Sequence, residues 1–149
     1  MKTAVWRGLD EPRMEIAYVE SWERAHGTQI GVGYEVRWQL EGLTLRLEHV
    51  GGRRIELELG EADFFDVLAS PFFNSLPTMR DGLLETGPAQ DYTMSFVRIP
   101  ELTVAPSRQR YEPLGGRTVR YSSDAFEADI EFDADGLVTL YHDYLERIA

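Results

Sequence analysis

Leu43-Thr44-Leu45-Arg46-Leu47-Glu48-His49-Val50-Gly51-Gly52-Arg53-Arg54-Ile55-Glu56-Leu57-Glu58-Leu59 decides how this chain folds. Leu43, Leu45 and Leu47 alternate with Thr44, Arg46 and Glu48, and Ile55, Leu57 and Leu59 alternate with Arg54, Glu56 and Glu58. A period of two puts each apolar set on one face of a β-strand. A two-residue loop at Gly51-Gly52 would set Leu47 opposite Glu56 and turn the two apolar faces apart. A three-residue loop, Val50-Gly51-Gly52, sets Leu47 against Ile55, Leu45 against Leu57 and Leu43 against Leu59. It also sets Glu48 against Arg54 and Arg46 against Glu56 on the other face. A slip of one residue reverses every side chain, so both faces agree only in the second register. That loop predicts a type I turn with a left-handed glycine at Gly52. Each cross-strand charge pair adds about 0.2–1 kcal/mol.

The same period continues on both sides. From Gln29 to Leu40, apolar Ile30, Val32, Tyr34, Val36, Trp38 and Leu40 alternate with polar or small residues. This reads as one twelve-residue strand, with Gly31 and Gly33 marking a sharp bend or a close approach. Its inward residues, together with Trp6, are expected to be buried. Towards the C-terminus, Phe126, Ala128, Ile130 and Phe132 alternate with Glu127, Asp129 and Glu131. A loop Ala134-Asp135-Gly136, with Gly136 at positive φ, sets Phe132 against Val138 and Ile130 against Leu140. A two-residue loop at Asp124-Ala125 joins this strand to Arg117–Ser123 and sets Arg120 opposite Asp129. Tyr92–Ile99 is a strand ended by Pro100, Leu102–Pro106 is extended, and Arg108–Tyr111 begins another strand. Glu61–Ser70 fits a short helix or a strand. Phe72–Pro77 reads as a loop or edge segment, because Pro77 cannot donate to a central ladder. No helix longer than two turns is expected, the tail Tyr144–Ala149 being the one exception. The fold class is all-β. Residues 1–149 form one domain, a single strongly curved, mostly antiparallel sheet that makes an open half-barrel or spouted barrel.

Composition narrows the functions open to such a sheet. The chain has 149 residues, with 26 Asp and Glu against 15 Lys and Arg, giving a net charge of −11. An acidic surface repels phosphate backbones and anionic headgroups, which argues against nucleic acid as a partner. Apolar runs fall far short of the roughly 20 residues that span a bilayer, so no membrane insertion is expected. There is no cysteine, which excludes disulfides, thiolate catalysis and zinc–sulfur sites. Met1–Arg7 has no apolar run of a secretory signal, and the expected compartment is the cytoplasm. Lys2 is the one lysine; every other basic side chain is an arginine, which makes planar, bidentate contacts.

Catalytic motifs do not emerge. His26, His49 and His142 lack ligand spacing. Asp133-Ala134-Asp135-Gly136 fits a β-turn and lacks the later ligands of a calcium loop. No serine sits in a nucleophile elbow. No metal and no cofactor is expected. Aromatics are 11% of the chain, and a barrel lined by them has room for a lipid-sized ligand.

The order of short motifs resembles the bacterial putative glycolipid-binding family. The matching pieces are Val5-Trp6-Arg7, Asn74-Ser75-Leu76-Pro77, Val97-Arg98-Ile99-Pro100-Glu101-Leu102, Gln109-Arg110-Tyr111, Phe126-Glu127-Ala128 and Asp135-Gly136-Leu137-Val138 with Tyr141. The resemblance implies a curved antiparallel sheet similar to carriers of acyl chains. It implies non-enzymatic binding of an amphipathic ligand, a glycolipid or fatty-acyl chain, in the concave face. Trp6, Tyr34, Trp38 and Tyr111 are the candidate apolar lining. Arg7, Arg98 and Arg110, with Asn74, are the candidate rim for a polar head. Two alternatives stand beside this reading: a small enzyme acting on an amphiphile through buried carboxylates and arginines, and an interaction module, including a homodimer, that pairs through open sheet edges. Two structural outcomes also stay open. The concave face is a cavity or a dry core, and the arginines form a rim or pair with carboxylates of neighbouring strands.

Overall fold

A computed structural model describes every residue from Met1 to Ala149. Thirteen strands run in chain order: β1 (Lys2–Gly8), β2 (Arg13–Ser21), β3 (Arg24–Gly31), β4 (Tyr34–Glu41), β5 (Thr44–His49), β6 (Arg54–Glu58), β7 (Phe64–Val67), β8 (Gln90–Arg98), β9 (Thr103–Gly115), β10 (Thr118–Ser123), β11 (Phe126–Phe132), β12 (Val138–Tyr141) and β13 (Leu145–Arg147). Two short helices, α1 (Pro71–Asn74) and α2 (Leu76–Asp81), separate β7 from β8. All strands join one curved, unclosed sheet in the order β6-β5-β4-β3-β2-β1-β13-β12-β11-β10-β9-β8-β7. Neighbours are antiparallel except β7 and β8, which run parallel.

The hairpin that decides the fold has the expected register: Leu47 faces Ile55, Leu45 faces Leu57 and Glu48 faces Arg54. Its positive-φ residue is Gly51 at 79°, however, and not Gly52. The Gly52 N–H bonds the His49 carbonyl at 2.8 Å, and a left-handed third residue makes this a type II turn. Gly136 takes φ 88° as expected, and Phe132 faces Val138. One bulge beyond them moves the ladder, so Leu140 faces Glu131 and Ile130 faces Tyr141. Arg120 faces Asp129.

Gln29–Leu40 is not one strand. It is the end of β3, a two-residue turn at Val32-Gly33 with Gly33 at φ 81°, and β4. The turn changes which residues point inward. On β3 these are Ala25, Gly27 and Gln29, leaving Ile30 exposed; on β4 they are Val36, Trp38 and Leu40. The glycines make room for the aromatics of β4. A Cβ on Gly27 would lie 2.5 Å from Trp38 Cζ2 and 2.5 Å from the Ile16 carbonyl, and the Tyr34 ring covers Gly31. Glu61–Ser70 resolves to the strand β7. The tail is the strand β13 and not a helix, because it is hydrogen-bonded between β1 and β12.

Phe72–Pro77 is helical and buried, not a loop or edge segment. Pro71 and Pro77 stand in the first turns of α1 and α2, where a missing N–H breaks no helical bond. Phe72 and Phe73 are fully buried, and Leu76 nearly so. Trp38 stacks on Phe72 with ring centroids 4.9 Å apart and meets Phe73 edge-on, also at 4.9 Å. The concave face is therefore a packed core, filled by a helical plug that the chain supplies between β7 and β8.

Candidate functional site

The plug is held at both ends by polar contacts. At its start, Ser70 caps α1 and accepts from the Phe73 N–H at 3.4 Å. Glu15 reaches it from the inward face of β2. Its Oε1 accepts from Ser70 Oγ at 2.8 Å and from the Phe72 N–H at 3.2 Å. The Tyr34 hydroxyl donates to Gln29 Oε1 at 2.6 Å, and Gln29 Nε2 donates to the Leu68 carbonyl at 3.1 Å. In the middle, the buried Tyr111 hydroxyl donates to the Asn74 carbonyl at 3.1 Å. Ser75 Oγ accepts from the Val138 N–H at 3.0 Å, while the Trp6 indole donates to the Val138 carbonyl at 2.7 Å. Thr78 Oγ1 bonds the Gly136 carbonyl at 2.6 Å. This close approach of turn to helix explains the glycine: a Cβ at 136 would lie 2.9 Å from the Met79 nitrogen. At the far end the Tyr92 hydroxyl donates to Asp81 at 2.7 Å.

Two carboxyl groups lie inside this seam. Burial pushes Glu15 up from 4.5 to about 7, against the opposing pull of its Ser70 and Phe72 hydrogen bonds. Burial likewise pushes Asp66 up from 3.8 to about 6, although Gln109 Nε2 donates to it at 2.8 Å. Glu15 Oε2, the Trp38 indole nitrogen, Asp66 Oδ1 and Gln109 Oε1 are buried without a hydrogen-bond partner. The chain is also in left-handed conformations on either side of the plug, at Ala69 (φ 60°) before it and at Gly82 (φ 85°) and Leu83 (φ 56°) after it. For alanine and leucine this is strained backbone of the kind that gathers at moving or functional segments.

The eight residues singled out from the sequence fall into two groups. Trp6, Tyr34, Trp38, Asn74 and Tyr111 gather around the plug, by the contacts above. Arg7, Arg98 and Arg110 do not meet. Arg7 lies on β1 and pairs with Glu146 of β13. Arg110 lies on β9 and forks onto Asp91 at 2.8 and 3.1 Å. Arg98 ends β8, exposed, with no carboxylate partner and its guanidinium 5.8 Å from the Phe96 ring. It stands beside the plug's start, since the Leu68 N–H bonds the Val97 carbonyl at 3.0 Å. Open concavities occur on the outer face. One of about 780 Å³ crosses β3 to β6 and is bordered by Arg37, Arg46, Arg54, Glu48 and Glu56. Another, of about 490 Å³, is bordered by Asp91, Arg108 and Arg110. Sequence reasoning missed Glu15, Ser70, Asp66 and Gln109. Their one signal was a polar residue standing in phase with buried apolar ones, as in Glu15-x-Ala17-x-Val19. No group of three or more His, Asp or Glu side chains is arranged to hold a metal, and no helix is long and apolar enough to cross a membrane.

The chain belongs to the family described as Putative glycolipid-binding, whose profile matches residues 37–147. The same fold occurs in the crystal structure of a DUF1089 family protein from Pseudomonas aeruginosa. That protein is 18% identical, with 99% of this chain and 94% of that chain covered at a TM-score of 0.65. No curated protein matches the chain.

Proposed function

We propose that the protein binds one amphipathic molecule, a glycolipid or an acyl chain, without transforming it. The plug Ser70–Gly82 leaves the concave face and the apolar tail takes its place. The observation that carries this reading is the origin of the core. Phe72, Phe73 and Leu76, which pack into the core from the concave side, come from one short segment, flanked by left-handed residues and joined to the sheet through hydrogen bonds. Such a segment can swing out as a unit, and what it uncovers is a surface of Trp38, Val36, Leu45 and Leu47 suited to a hydrocarbon chain. Arg98 at the plug's start is then the contact for a polar or acidic head, being the one of the three candidate arginines without a carboxylate. Tyr34 and Trp38 line the tail.

Native mass spectrometry with a single-chain glycoside detergent below its micelle concentration tests the reading. The expected result is a one-to-one complex that survives buffer exchange, together with a change in tryptophan emission as Trp38 loses its stack on Phe72. Tyr34→Asp is expected to abolish the complex while the circular dichroism stays native. Arg98→Ala is expected to weaken it about tenfold or more, the worth of a charge-assisted hydrogen bond, with no change in melting temperature. A wild-type protein that stays free of amphiphile across the titration refutes the proposal.

A further inference from the structure

We propose that the protein pairs with a second copy of itself through β6, antiparallel about a two-fold axis at Glu56. β6 is hydrogen-bonded on one side only, to β5, and is one end of the sheet. The Leu59 N–H bonds the Leu43 carbonyl, and the His49 N–H bonds the Arg53 carbonyl. Antiparallel ladders alternate, so the odd-numbered residues of β6 face β5. The N–H and C=O groups of Arg54, Glu56 and Glu58 therefore point away from the sheet. The opposite edge offers no such row, because all of β7 is buried. An uncovered edge of this kind is a template for another strand.

One register pairs the whole of β6 with its own copy and keeps its end charges complementary. With Glu56 opposite its own copy, Arg54 stands opposite Glu58 and Ile55 opposite Leu57, each twice by symmetry. The three pairs at Arg54, Glu56 and Glu58 are then the ones whose free N–H and C=O groups face each other, and each exchanges two hydrogen bonds. Ile55 and Leu57 are only half-buried in one copy and would cover each other on the inner face. The two Glu56 carboxylates meet at the axis, and each already has Arg46 Nε at 3.3 Å. Sliding by two residues one way sets Arg54 opposite Glu56 twice but leaves Glu58 opposite Gly52, outside the strand; sliding the other way sets Glu56 opposite Glu58 twice. A slip by one mismatches the hydrogen-bonding directions. The contact is a five-residue edge, smaller than the roughly 1,000 Å² of a stable interface, so the pair belongs to the transient class. With −11 on each copy, added salt should strengthen it by screening the long-range repulsion.

The chain has no cysteine, so single cysteines report the register. Glu56→Cys brings two sulfur-bearing residues opposite each other at a Cα separation near 5.5 Å, within the range a disulfide spans. Mild oxidation should convert it to a covalent dimer, whereas Glu58→Cys, which faces position 54 of the other copy, should cross-link about tenfold more slowly. Arg54→Cys combined with Glu58→Cys should cross-link again. In sedimentation equilibrium the wild type should show a concentration-dependent dimer. Arg54→Glu should weaken it about tenfold, and Arg54→Glu with Glu58→Arg should restore it. All these side chains are largely exposed, and circular dichroism checks that the variants fold. Equal cross-linking of Glu56→Cys and Glu58→Cys overturns the proposal. So does a wild type that stays monomeric at every concentration and salt, or a dimer indifferent to Arg54→Glu.

Discussion

Replacing Glu15 by glutamine is expected to flatten the dependence of stability on pH between about 5 and 7. The folded chain holds the Glu15 proton more tightly than the unfolded chain, because burial raises its pKa from 4.5 to about 7. Stability is then greatest below the ordinary value and falls as pH rises through that window, levelling off above it. The difference corresponds to about 3 kcal/mol. For a chain of this size, about 3 kcal/mol moves the melting temperature by roughly 6–12 °C. Asp66 acts in the same sense between 3.8 and about 6. Asp81 acts in the opposite sense, because Arg80 and then Tyr92 hold its carboxyl down. It loses its stabilising contacts only below 3.8, outside the window.

Glutamine keeps an oxygen that accepts from Ser70 Oγ and the Phe72 N–H. It places an amide donor towards the unpartnered Trp38 indole nitrogen, which shifts the whole curve and not its slope. The assay is thermal unfolding followed by circular dichroism at half-unit steps from pH 4.5 to 8 at fixed ionic strength. The expected wild-type curve falls steadily; that of Glu15→Gln keeps only the Asp66 part, and Glu15→Gln with Asp66→Asn is flat. Parallel curves for wild type and Glu15→Gln would show that Glu15 titrates normally in the fold, and the reasoning would fail.

Phe72→Ala removes a fully buried ring from the plug and should cost about 3–5 kcal/mol in urea unfolding. Gly27→Ala forces a Cβ to within 2.5 Å of the Ile16 carbonyl, which cannot yield as a side chain can; a loss of about 1–3 kcal/mol is expected in the same experiment. Asp133 accepts from Lys2 at 2.8 Å, from the Leu137 N–H at 3.0 Å and from Arg147, tying β1 and β13 to the β11–β12 turn. Asp133→Asn should cost about 1–2 kcal/mol, most of it absent in high salt.

Legibility followed the physics of each segment. Where a strand has one wet face and a short turn, as in Leu43–Leu59, period two sets the register and the structure agrees; at Phe126–Leu140 it sets Phe132 against Val138, but a bulge invisible to the pattern moves Ile130 from Leu140 to Tyr141. Gln29–Leu40 misled because the alternation of apolar residues ran on through a two-residue turn, and a turn of that length brings Gly31 opposite Tyr34 without interrupting the pattern. β2 was silent for the opposite reason. Its inward face carries Glu15 and Ala17, while Met14 and Tyr18 point outward, so hydropathy marks the wrong side. The plug was illegible because two prolines within seven residues look like a loop, and only the sheet around Phe72 and Phe73 makes a four-residue helix worth burying. Of the candidate site residues, alternation marked Tyr34 and Trp38, while Trp6 and Tyr111 were marked by the family resemblance. Glu15, Asp66 and Gln109 were not, since nothing local distinguishes an inward acid or amide from an outward one.

Glu15 also couples the two halves of the proposed function. Its hydrogen-bond partners, Ser70 and the Phe72 N–H, belong to the plug, while Gln29 and the Trp38 indole face it from β3 and β4 beneath. A plug that swings out takes Ser70 and Phe72 away and lets water reach the carboxyl. Its pKa then falls back towards 4.5, and above about 7 the ionised form favours the open state that the amphiphile needs. Uptake should therefore strengthen as pH rises from 5 to 8. The ceiling is about a hundredfold, the same about 3 kcal/mol read as an equilibrium ratio, and it is reached only if opening hydrates Glu15 fully. Glu15→Gln should bind with little pH dependence across that range. The measurement is a detergent titration followed by tryptophan emission at pH 5, 6, 7 and 8 for both proteins. Uptake by the wild type that is level with pH, or that weakens as pH rises, would mean that the plug does not carry Glu15 into water when it moves.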